Sequence, residues 1–126
     1  MLELIPALPD NVVGVVAKGE VTKEDYEQRL VPAVEEVLAA HDKARLLYVL
    51  GAEFTGFTGG AMWEDGKVGL GHIGRWERIA VVARQAWVRH AVNAVGYLIP
   101  GEVKVFDLAD EADAAAWVTE PTGVGS

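Results

Sequence analysis

Two apolar runs constrain this chain more than any other feature of it. Arg45-Leu46-Leu47-Tyr48-Val49-Leu50 stops at Gly51, and Arg78-Ile79-Ala80-Val81-Val82-Ala83 has the same character. Neither alternates with polar residues, so each reads as a strand buried on both faces, as in parallel sheets covered by helices. Val103-Lys104-Val105-Phe106 is a shorter version. Helical spacing fills the gaps between them. Tyr26, Leu30, Val34, Val37 and Leu38 form one pattern, opened by the N-cap sequence Thr22-Lys23-Glu24-Asp25 and interrupted by Pro32. Pro32 removes a backbone donor, which predicts a kink or two short helices. Trp87, Ala91, Val95 and Leu98 form a second stripe, with Val88, Val92 and Ile99 beside it, ended by Pro100-Gly101. Asp110 opens a third helix, Glu111 to Val118.

Upstream, Leu2–Ile5 and Val12–Ala17 are joined by a short turn containing Pro6, Pro9 and Asp10-Asn11, and read as an antiparallel pair. The predicted order is β-β-α-β-α-β-α-β-α. This is an α/β architecture with a mixed, mostly parallel five-stranded sheet and an antiparallel strand at one edge. With 126 residues the chain makes one domain, expected over residues 1–118, and residues 119–126 read as a flexible tail.

Charge narrows the partners. The formal net charge of −8 opposes nucleic acid and anionic membrane. No apolar stretch approaches the roughly 20 residues of a membrane span. No secretion signal opens the chain, so a cytoplasmic protein without integral membrane association is expected. There is no cysteine, and His41, His72 and His90 lack metal-ligand spacing, so neither a metal nor another cofactor is expected. The segment from Arg75 to Phe106 carries a local excess of three positive charges, through Arg75, Arg78, Arg84, Arg89 and Lys104 against Glu77 and Glu102. It reads either as a rim paired with the acidic helices or as an anion site.

Eight of the 14 glycines fall between Gly51 and Gly74. At helical spacing Met62, Gly66, Gly69 and Ile73 share one face, and Asp65 and His72 another. Each interior glycine would cost such a helix roughly 0.5–1 kcal/mol. Phe54, Phe57, Met62, Trp63 and Trp76 are large apolar groups around this segment, suited to covering a cavity, exposing a partner-binding patch or packing as a satellite of the core.

Phe54 with the following Thr-Gly-Phe-Thr-Gly-Gly, then Ala61-Met62-Trp63-Glu64-Asp65, His72, Trp76-Glu77-Arg78-Ile79-Ala80-Val81-Val82, Trp87 and Glu102–Phe106 together resemble the SpoIIAA-like family of small bacterial proteins. The resemblance runs from Val12 to Val118. It implies a fold of the STAS type, akin to the CRAL-TRIO lipid-binding domains. The family's namesake is an anti-sigma-factor antagonist, switched by phosphorylation of a serine where Phe57-Thr58-Gly59-Gly60 stands here. Its Asp-Ser-Ser-Gly pattern is not kept. Thr58 is the one hydroxyl left as phosphoacceptor, and it also suits a helix N-cap.

Three readings follow. The first is a non-enzymatic regulatory module that binds a protein partner and forms a homodimer through Phe57, Met62 and Trp63. The second is a carrier or sensor of a small apolar or lipid-like ligand, with Trp63 and Trp76 lining the pocket and Arg78 meeting an acidic head group. The third is an enzyme using Asp65, His72 and Arg78. It lacks a nucleophile, and Asp65 with Arg78 serves equally as a structural ion pair. The candidate binding positions are therefore Phe57, Thr58, Gly59, Gly60, Met62, Trp63, Asp65, His72, Trp76 and Arg78; no catalytic residue is expected.

Overall fold

The computed structural model describes residues 1–60, 73–96 and 101–120. Five strands form one sheet in sequential order. β1 (Leu2–Leu4) pairs antiparallel with β2 (Val12–Val21). From β2 onward every pairing is parallel, through β3 (Ala44–Phe57), β4 (Trp76–Val82) and β5 (Glu102–Phe106). The mostly parallel sheet with one antiparallel edge is the expected architecture. The helix expected between β3 and β4 lies outside the described residues, apart from Gly59-Gly60 where the chain turns helical.

β3 corrects one boundary. It runs on through Gly51 to Phe57, because β2 also extends, to Val21, and pairs again with Phe54, Gly56 and Phe57 beyond an irregular stretch. The ladder shifts register around Gly19. Gly19 has φ +58° and Gly56, opposite Glu20, has φ +154°, conformations that a side chain strains.

Thr22 caps α1 (Lys23–Asp25) in a reciprocal box. Its hydroxyl accepts the Asp25 N–H while its own N–H donates to the Asp25 carboxylate at 2.8 Å. A wide π turn (Tyr26–Leu30) follows, then α2 (Val31–Ala40), with Pro32 in its first turn. The predicted interruption thus takes the form of a π turn, closed by the Val31 N–H on the Tyr26 carbonyl. The turn points Tyr26 and Leu30 into the core, where the Tyr26 and Tyr48 hydroxyls share a 2.7 Å hydrogen bond.

Two apolar layers sandwich the sheet. On one face Val13, Val15, Leu46, Tyr48, Ile79 and Val81 pack with α2 and α3 (Ala86–Gly96). On the other, Val12, Leu47, Val49, Ala80 and Val82 pack under α4 (Glu111–Thr119) through Ala114 and Val118. Helix α3 seats Val88, with Val92 packed beside it, whereas Trp87 and Ala91 are exposed. The buried stripe is therefore the neighbouring one, and Leu98 and Ile99 lie outside the described residues. Thr119 belongs to α4, and the Glu120 carbonyl is bonded by Arg45, so the folded unit extends two residues into the expected tail.

Candidate functional site

The residues singled out around the glycine segment separate into two groups at opposite ends of β3. From Arg45 to Phe57 the strand covers roughly 40 Å at about 3.3 Å per residue. At the carboxyl end, Phe54 is buried and tilts against Phe57, with ring centroids 4.9 Å apart. Phe57 meets the ring of Trp87 edge-on at 6.3 Å. Trp87 itself is 51% exposed, from the first turn of α3. Such T-shaped contacts fix ring orientation and add about 0.5–1.5 kcal/mol beyond area burial. Phe57 and Trp87 thus form a braced aromatic surface. The Thr58 N–H donates to the Val21 carbonyl at 3.0 Å, tying the turn to the end of β2. Gly59 and Gly60 follow on the surface, and a side chain at Gly60 would press on the Lys23 stem. Met62, Trp63, Asp65 and His72 lie outside the described residues.

At the amino end of β3 and β4, Trp76 and Arg78 are both engaged within the fold. Trp76 is 2% exposed and belongs to the core beneath α2 and α3. Its indole N–H has no hydrogen-bond partner among the described residues. Arg78 donates to the Trp117 carbonyl at 2.8 Å, stacks on the Trp117 ring at 5.1 Å and lies 3.9 Å from both Glu102 and Glu120. Its guanidinium anchors the end of α4, which leaves it poorly placed for an acidic head group.

The neighbouring arginines act alike. Arg45, 3% exposed, pairs with Glu77 at 2.6 Å and donates to the carbonyls of Val118, at 3.0 Å, and Glu120. A register shift between β3 and β4 lets this pair form: Ala44 lies opposite Trp76 and Arg45 opposite Arg78, so Glu77 is the extra residue. Arg75 donates to the carbonyls of Leu38, His41 and Asp42 at 2.8–2.9 Å, capping the carboxyl end of α2. Cationic groups are favoured there, where the last helical carbonyls lack partners. Within the basic segment, Arg75 and Arg78 are thus engaged chiefly by backbone carbonyls rather than by the acidic side chains of the helices. Arg45 was missed among apolar neighbours. The available signal was an arginine opening a strand buried on both faces, since a buried charge demands partners.

Elsewhere an open cleft of about 350 Å³ lies between the β1–β2 turn and α2, lined by Ile5, Asp10, Val13, Glu36, Val37 and His41 among others. It lies apart from the Phe57–Trp87 surface. Among the described residues no group of His, Asp or Glu is arranged to hold a metal ion, and no helix is long and apolar enough to cross a membrane. Burial pushes the Asp25 carboxyl up, but the Thr22 N–H, the Met1 ammonium and the Thr22 hydroxyl together hold it below its ordinary range.

A parallel sheet edged by one antiparallel strand, with the chain turning helical after β3, defines a mixed α/β domain of the STAS type. The chain belongs to the SpoIIAA-like family, whose model matches residues 12–119. Among solved structures it is similar to an uncharacterized protein with a SpoIIAA-like fold from Shewanella loihica PV-4, at 29% identity and a TM-score of 0.73, covering 94% of this chain and 92% of that one. No curated protein matches. The fold is that of a regulatory module.

Proposed function

We propose that the chain is a non-enzymatic, self-associating interaction module, and that the surface at the carboxyl end of β3 receives a protein partner. The observation that carries this reading is Trp87, half exposed and held edge-on by Phe57. Aromatic residues with little conformational freedom make the strongest anchors of protein interfaces. The backbone around them suits close approach, since Gly59 has open space where a side chain would stand. The position fits the general rule for open α/β sheets, in which ligands gather beyond the carboxyl ends of the strands.

Catalysis finds no support in Arg78, which the α4 carbonyl and two carboxylates engage, and a lipid carrier finds none in Trp76, which is core. The test is a selection of binding peptides from a random displayed library against the wild-type chain. Enriched peptides are expected to lose at least tenfold in affinity for Trp87→Ala. Peptides that bind Trp87→Ala and Phe57→Ala as tightly as wild type would remove this surface from the account.

A further inference from the structure

The sheet ends in two edges, and they differ. β1 is three residues long, whereas β5 spans five and has β4 as its one strand neighbour among the described residues. An edge strand presents a row of backbone N–H and C=O groups away from its sheet, and a lysine in mid-edge ordinarily keeps other strands off. Lys104 occupies that place, but Glu102 stands two residues before it on the same face, opposite Arg78 as Lys104 is opposite Ala80. Both side chains are exposed, Glu102 by 64%. Arg78 approaches Glu102 only to 3.9 Å, and Lys104 lies 5.1 Å over the Trp117 ring.

We propose that β5 pairs antiparallel with β5 of a second copy, about a twofold axis at Val103, to give one continuous ten-stranded sheet. The inference rests on the reading of a self-associating module and places the self-contact away from Phe57 and Trp87. Register follows from charge. Directly opposed residues of an antiparallel pair point to the same face, and a twofold axis perpendicular to the sheet keeps the faces of both copies aligned. The axis must then fall at a residue position. At Glu102 it sets carboxylate against carboxylate, and at Lys104 ammonium against ammonium. At Val103 it sets Glu102 of each copy opposite Lys104 of the partner subunit, twice over. The feature that guards the edge against other strands therefore selects its own copy.

The experiment is sedimentation velocity of the full chain over a concentration series, with circular dichroism to confirm folding. Wild type is expected to form a dimer. Glu102→Lys and Lys104→Glu are each expected to weaken it at least tenfold, while an equimolar mixture of the two variants, an all-basic strand against an all-acidic one, dimerises again. The double exchange in one chain also restores the dimer. Trp87→Ala leaves it intact. A dimer that ignores the charge reversals but dissociates in Trp87→Ala overturns the β5 contact and spares self-association; a wild-type monomer at every concentration overturns both. Because the chain has no cysteine, Val103→Cys supplies a second measurement that needs no charge change. Opposed strand residues lie about 4.5–5.5 Å apart between Cα atoms, within disulfide range. Oxidation should covalently link most of the dimer, and failure to link it counts against the axis at Val103.

Discussion

Replacing Arg45 by methionine keeps most of its aliphatic stem and removes its charge. The guanidinium holds Glu77 at 2.6 Å and donates to the Val118 and Glu120 carbonyls, from a position 3% exposed. Breaking a fully buried ion pair by deleting one partner costs about 3–5 kcal/mol. Glu77 retains 29% exposure and regains water when abandoned, which lowers the figure. The Val118 carbonyl, on a residue with no exposed surface, keeps a penalty of about 1–3 kcal/mol. The expected loss is about 2–4 kcal/mol, or roughly 10 °C in melting temperature for a domain of this size. Glu77→Gln, which leaves a neutral acceptor for Arg45, should cost less, about 1 kcal/mol. Urea denaturation of the three proteins measures the order. A methionine variant melting within about 2 °C of wild type would show that Arg45 does not hold α4.

Other consequences are as direct. Asp25→Asn should destabilise the protein at neutral pH; because the folded carboxyl lies below its unfolded value near 4, the deficit should close as pH falls through the ordinary carboxylate range and below, read from melts at successive pH values. A Cβ on Gly101 would collide with the Trp76 and Glu77 carbonyls, which are backbone and cannot swing aside, so Gly101→Ala should cost about 1–3 kcal/mol in chemical denaturation. Gly59→Ala, into open space, should not destabilise. Trp76→Phe should cost no more than about 1.5 kcal/mol, since its indole N–H has no partner among the described residues to lose, while Trp76→Ala should cost about 3–5 kcal/mol.

The sheet was legible because unbroken apolar runs have few uses other than buried parallel strands: Leu46–Leu50 and Ile79–Val82 lie in β3 and β4 as read, with Ala83 one residue beyond. Strand length was not legible. Gly51 looks like a terminator, and only the matching extension of β2, which pairs again from Phe54, carries the strand past it. On α3 the apolar pattern offered two adjacent stripes, and Val88 won over Trp87 because the sheet reaches it first. The site divided for a reason local sequence cannot express. Thr58 and Arg78 are 20 residues apart, but they sit at opposite ends of parallel strands joined through a return connection. The arginines were recognisable as a group, and their assignment to helix carbonyls depends on where α2 and α4 end in space.

Self-association is the property on which the β5 contact rests, and sedimentation velocity of the wild-type chain tests it without any substitution. From micromolar to near-millimolar concentration the expected result is a single monomer–dimer equilibrium with no larger species. One monomeric boundary over the whole range would contradict it.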